Sequence, residues 1–246
     1  MALFTDGAIS GIEELVAYES AVLDLATIEQ IDLTVKLGLA QDEVGIGLEA
    51  LLAGREGAPG LANIVVTGPL RKWHVFHTLA LIHRDAYHRQ LNDRYLGKWT
   101  EYQRLAAWAR DALLQTGLGM TYDPIPRAQR PALSYTPAAN PAATYYVRVA
   151  WRNPEGEEGS PSDVAILSAP AGNALVVTPV KAPSCAGSWN VYAGFSIEEQ
   201  TLQNSAPLPV GETWRVPATG IKQGAAPGTG QDPDVTLRPG RTLLRG

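Results

Sequence analysis

The sequence predicts an α + β multidomain chain: an N-terminal helical bundle, then a small β-sandwich, then an extended C-terminal tail. Three observations predict it. Only Pro59 and Pro69 occur before residue 121, whereas 16 of the 18 prolines follow it, and each proline inside a helix costs about 3 kcal/mol. Apolar residues recur at three- and four-residue steps in the first half and alternate strictly in the second. The closing stretch, Gly224 to Gly246, is rich in Pro and Gly and has little periodicity. These signals divide the chain into a helical domain over 1–118, a linker over 119–131, a sandwich over 132–229 and a tail over 230–246.

Ser10 followed by Glu13 fits a capping box that opens a short helix from Gly11 to Glu19, and Ser20 is a candidate cap for a second. From Ile31 to Ala53, Leu33, Leu37, Ala40, Val44, Leu48 and Leu51 form one apolar stripe. Ile31, Val35, Leu39 and Ile46 form another, so this helix is expected to cover two faces. Gly38, Gly45 and Gly47 weaken such a helix, which points to close backbone approach. Thr67, Gly68 and Pro69 start a third helix, with Pro at its first position, running to Leu91. Its apolar residues, from Trp73 to Tyr87, spread over more than half the circumference, which makes it the central helix. A last helix aligns Tyr95, Trp99, Tyr102, Ala106, Ala109 and Leu113 on one narrow stripe. Joined to the third it would be far longer than ordinary helices, so a break is expected near Asn92-Asp93 or Gly97.

In the second half, TYYVRVAW from Thr144 to Trp151 alternates like a strand, and Asn153-Pro154-Glu155-Gly156 supplies a turn. Further strands are predicted at Ser162 to Leu167, Ala174 to Val180, Trp189 to Gly194 and Glu212 to Val216, which together make a small sandwich with Trp151, Trp189 and Trp214 in its core.

With 45% hydrophobic and 18% charged residues, the 246-residue chain lies outside the disordered, collagenous and disulfide-rich classes. Its apolar runs, such as Ile64 to Val66, are far short of the roughly 20 residues of a membrane helix. Residues 1 to 10 contain Asp6 and no Lys or Arg, so synthesis and function in a cytoplasm, or in something assembled there, are expected. Cys185 alone cannot form an intramolecular disulfide or a multi-Cys zinc site. The net charge of −5 hides a contrast: residues 1–56 hold 11 acidic and 2 basic residues, and residues 57–130 hold 10 basic and 5 acidic ones. Helical layers of opposite sign could be ordinary solvated faces, could face one another within a subunit, or could meet across subunits.

Signatures of catalysis are missing. There is no GxSxG, no Walker A and no GxGxxG after a strand. His74, His77, His83 and His88 all fall in the third helix, where only His74 and His77 could share a local site and no HExxH is present. Asp85 is placed to pair with His88 or Arg89. Cys185 has no histidine near it in sequence. No catalytic, cofactor-binding or metal residue is therefore assigned.

The stretch LIHRDAYHRQLNDRYLGKWTEYQRLAAWA, from Leu81 to Ala109, resembles the helical core of head-tail connector (adaptor) proteins of tailed bacteriophages, and IDLTVKLGLAQDEVGIGLEALL is similar in style. The segments YYVRVAWRNPEGEEGSPSD, WNVYAGFS and TLQNSAPLPVGETWRVPATG resemble fibronectin type III or immunoglobulin-like modules of phage virion proteins. The resemblance implies a structural virion protein of the head-tail neck, assembled in the host bacterial cytoplasm. Such a protein forms a homo-oligomeric, dodecameric ring under the portal protein and continues the DNA channel to stopper or tail proteins. DNA passes without sequence-specific binding, and neither a cofactor nor a membrane is involved. Adaptors reach the portal with an extended C-terminus; here Arg238, Arg241 and Arg245 would be anchors, with Leu243 and Leu244 filling apolar pockets. The alternative is a virion-attached binding module whose sandwich recognises a host-surface glycan or protein through exposed loop aromatics. An enzyme whose catalytic groups converge from distant segments is the third class.

Overall fold

The computed structural model describes residues 1–53 and 59–238. In chain order the elements are α1 (Ile12–Tyr18), α2 (Val22–Glu29), α3 (Leu33–Leu52), α4 (Gly68–Gln90), α5 (Asp93–Thr116), β1 (Leu118–Met120), β2 (Ala132–Pro137), β3 (Ala143–Arg152), β4 (Ala165–Ala169), β5 (Asn173–Thr178), β6 (Ser188–Gly194), β7 (Thr201–Leu202), β8 (Leu208–Pro209), β9 (Trp214–Arg215) and β10 (Val235–Leu237). The class is α + β, with helices first and antiparallel sheets after them. Contacts divide the chain into two compact units, one of Met1–Asp6 with Asp123–Asp232, the other of Gly7–Tyr122 with the chain from Pro233. This corrects the expected boundaries, because the linker's first residues and the tail pair with each other as β1 and β10.

In the helical unit, α4 packs against both α3 and α5. Its inward positions run nearly all round it, including Leu70, Trp73, Val75, Phe76, Leu79, Ile82 and Ala86, as expected of a helix covered on most sides. Pro69 occupies its second position, where its missing N–H breaks no helical hydrogen bond. The break to α5 falls at Leu91, in the left-handed region at φ 50°, and at Asn92, whose side chain caps α5 by accepting from Arg94 N at 3.0 Å. Gly97 lies inside α5.

Several helix expectations are corrected. Gly11, not Ser10, precedes α1, and the Glu14 carboxylate accepts its N–H at 3.1 Å; the Ser10 hydroxyl is held instead by His74. Ala21, not Ser20, precedes α2. On α3, capped by Asp32, the stripe of Leu33, Leu37, Ala40, Val44 and Leu48 is buried, but Val35, Leu39 and Ile46 of the second stripe are exposed. Of the glycines there, a Cβ on Gly47 would meet the Trp73 ring at 2.9 Å, whereas Gly38 faces open space. On α5 the seam of Tyr95, Tyr102, Ala106, Ala109 and Leu113 is buried, while Trp99 is only half-buried, beside the rings of Tyr87 and His88.

The other unit contains two antiparallel sheets, β2-β5-β9 and β4-β3-β6-β7, with β8 also on β6. Tyr145, Val147, Val149 and Trp151 point to one side of β3, as the alternation predicts. They share one core with Trp189, Val191 and Ala193 of the same sheet and with Leu175, Val177 and Trp214 of the other. The strand predicted at 162–167 starts later, at Ala165; Ser162 is buried, its hydroxyl accepting Val149 N at 3.1 Å. The stretch from Gly224, expected to be a tail, begins inside this unit: Ala225 O accepts Leu202 N at 2.8 Å, and buried Gln231 accepts Ile125 N at 2.6 Å. At the other end, Asp6 accepts Arg127 N at 2.7 Å.

Candidate functional site

Of the residues assigned from the sequence to partner binding, only Arg238 is described; Arg241, Leu243, Leu244 and Arg245 lie outside the described residues. Arg238 directly follows a built attachment. β10 runs antiparallel to β1, pairing Leu237 with Leu118, Thr236 with Gly119 and Val235 with Met120. Gly117 turns α5 into this ladder at φ 99°, where an added Cβ would meet the Thr236 methyl at 2.3 Å, so glycine is required twice over. Beyond the ladder, the Asp234 carboxylate accepts from the Thr121 hydroxyl at 2.9 Å and from Tyr122 N at 2.8 Å. Val65 N donates to Gly119 O at 3.0 Å on the other side of β1. β10 therefore belongs to the helical unit, and residues 123–232 are inserted between two hydrogen-bonded strands.

The outer faces of α3 and α5 are the second feature. Val35, Leu39 and Ile46 are exposed at 61%, 37% and 67%. They surround Asp42 and Glu49, which are exposed and have no partner among the described residues. On α5, Trp108 is 54% exposed, one turn from Arg104, which likewise has no partner among the described residues. Trp108 sits opposite the seam that faces α4, so its apolar surface is surplus to the bundle. An aromatic off the stripe was the sequence signal for it.

Polar groups are buried where α1, α2, α4 and α5 converge. The Glu19 carboxylate accepts from Tyr102 OH at 2.9 Å and pairs with Lys98 Nζ at 3.0 Å. Burial pushes Glu19 up, but the bonds from Lys98 and Tyr102 outweigh it and hold the carboxyl below its ordinary range. Burial first, then the bond to Glu19, pushes the Tyr102 phenol up. His83 stacks on Tyr102 with ring centroids 5.4 Å apart, and Nε2 lies 3.8 Å from Glu19. Neither ring nitrogen has a hydrogen-bond partner among the described residues, and burial lowers the pKa. Buried Glu29 accepts from Tyr95 OH at 3.0 Å and from Gln90 Nε2 at 2.7 Å, tying α2 to the α4–α5 turn. His83 and Tyr95 line a cavity of about 280 Å³ with Glu19, Asp24, Arg94 and Lys98 at its polar edge and Leu25 and Ile28 on its apolar wall.

Two other histidines of α4 are held by hydrogen bonds. His74 Nε2 donates to Leu37 O at 3.0 Å and Nδ1 shares a 2.8 Å hydrogen bond with the Ser10 hydroxyl; burial lowers its pKa, which favours the neutral ring. His77 bonds Glu43 at 2.6 Å, so it shares no site with His74. Asp85 pairs with Lys36 rather than with His88 or Arg89, because α3 brings the ammonium to it. Cys185 is half-buried with Sγ 3.6 Å from Pro124 O, and burial pushes the thiol up, the opposite of what a thiolate nucleophile requires. No helix among the described residues is long and apolar enough to cross a membrane. Among those residues, no three His, Cys, Asp or Glu side chains are grouped to hold a metal ion. Comparison with protein-family models, with curated proteins and with solved structures finds no match to this chain.

Proposed function

We propose that the chain is a structural virion protein, a head-tail connector subunit that assembles into a ring under the portal and continues the DNA channel to the tail. The observation that carries this reading is the β1–β10 ladder. It returns the chain, by Leu237, to the unit whose helices would form the ring wall, and the segment 239–246 follows in sequence. An inserted β unit then need not separate that segment from the portal. In support of an immunoglobulin or fibronectin type III module, β4-β3-β6-β7 follows the C′-C-F-G strand order, β2 and β5 match the neighbouring B and E strands, and Trp151 is buried on the C-like strand. The proposal gives the chain no catalytic role and no cofactor.

Removing residues 239–246 while keeping β10 tests it. The truncated protein is expected to fold with unchanged thermal stability and to be absent from particle necks imaged by electron microscopy. Normal incorporation of the truncated protein would refute the portal-docking role. The second reading, a virion-attached module that binds a host-surface glycan or protein, is favoured by Phe195 and Ile197, exposed at 59% and 55% in the β6–β7 loop. Phe195→Ala should abolish attachment to host cells under that reading and leave it unchanged under the first.

A further inference from the structure

α4 packs against both α3 and α5, which make little contact with each other. The faces of α3 and α5 turned away from α4 therefore lie on different flanks of one unit. The α3 flank offers exposed Val35, Leu39 and Ile46 around the Asp42 carboxylate, unpaired among the described residues. The α5 flank offers exposed Trp108 beside the Arg104 guanidinium, unpaired in the same sense. We infer that these flanks are the two halves of one interface between copies of this chain, with Trp108 of one copy on the Val35–Ile46 stripe of the next and Arg104 against Asp42.

Three physical points select this occupant. Exposed tryptophan and arginine have the composition that dominates binding energy at protein interfaces, and the opposite stripe is apolar with an acidic centre. Like-on-like pairing of the apolar stripe is disfavoured, since α3 on α3 would bring the exposed Asp42 and Glu49 carboxylates of two copies together. Because the complementary patches are different surfaces, each copy uses a different one toward each neighbour. Such a contact is heterologous, adding copies head to tail until the rotation closes a ring. The inference rests on the assembly reading and deepens it by naming the residues that join subunits.

The full chain is tested by sedimentation velocity and native mass spectrometry over a range of concentrations. The wild type should form oligomers. Trp108→Ala keeps the α3 face and Ile46→Asp keeps the α5 face; each alone should weaken association by roughly thirtyfold. Mixed in equal amounts, they should form a heterodimer that grows no further. Asp42→Arg and Arg104→Asp should each weaken association, and the double variant should restore it. All four positions are exposed, and circular dichroism checks that each variant is folded. A wild type that stays monomeric, variants that assemble as it does, or a mixture without heterodimer would each overturn the contact. Oligomers in solution whose chain never enters particle necks would support the contact and refute the connector reading. Normal neck rings built from Trp108→Ala protein would do the reverse.

Discussion

Replacing Asp234 with alanine isolates the clasp that holds the C-terminal strand. Its carboxylate accepts from the Thr121 hydroxyl at 2.9 Å and Tyr122 N at 2.8 Å. Thr121 is 1% exposed, so its hydroxyl cannot turn to water when the acceptor goes. Leaving such a donor unpaired costs about 1–3 kcal/mol. Tyr122 is 72% exposed, so its N–H is rehydrated and contributes about 1 kcal/mol. The sum, about 2–4 kcal/mol, corresponds to a fall in melting temperature of roughly 10 °C for a unit of this size. Urea unfolding followed by the helical circular dichroism band measures it. Thr121→Val should cost about 1–2 kcal/mol by itself, and the double variant should cost less than the sum of the singles because both remove the same bond. A loss below about 0.5 kcal/mol for Asp234→Ala would show that the strand is held without the clasp, and the role given to this carboxylate would be wrong.

Trp99→Ala should cost about 1–2 kcal/mol, less than the 3–5 kcal/mol of a fully buried aromatic, because Trp99 is half-buried; a chemical-denaturation loss above about 3 kcal/mol would contradict that packing. His74 and His83 have folded-state pKa values lowered by burial, so the unfolded chain binds protons first. Stability should be full above pH ~6.5 and fall as the pH drops below it, by up to about 1.4 kcal/mol per pH unit for each ring. A flat urea midpoint from pH ~7.5 to ~5.5 would refute this. Replacing residues 123–232 with a two-residue Asn-Gly turn should leave a folded helical unit, since Tyr122 N is bonded to Asp234; loss of the helical circular dichroism signal would overturn the assignment of β1 and β10 to that unit. Gly194→Ala should destabilise the β unit, because the new Cβ would fall 2.3 Å from Glu199 O; an unchanged melting temperature would contradict so close an approach of the two segments.

The helices were legible because their signals are local. Proline exclusion, the Thr67-Gly68-Pro69 start and the apolar spacing of α4 each act within a few turns. Strands with long alternating runs, β3 and β6, were equally readable. Others escaped for stated reasons. β1 and β10 have three residues each, too few for a periodic signal, and their pairing spans most of the β unit. β2 ends in proline and is mostly exposed, so it lacks the inward alternation. The exposed second stripe of α3 was visible as an apolar pattern, but sequence alone cannot say whether the molecule covers such a stripe itself. Ser10 shows the converse: its position suggested a cap, and the histidine that claims it lies 64 residues away.

The clasp between Thr121 and Asp234 joins residues 113 positions apart, and this sets a timetable for the nascent chain. At 5–20 residues per second, roughly 6–23 s separate the synthesis of β1 from that of its partner. Through that interval α1–α5 can coil and collapse, yet the edge of β1 meant for β10 has no strand to meet. Residues 1–6 wait still more of the way, since Asp6 binds Arg127, 121 positions on. Both units thus draw their first and last pieces from distant moments of translation. A nascent chain whose helices have emerged but which stops short of residue 233 would carry β1 with an open ladder edge.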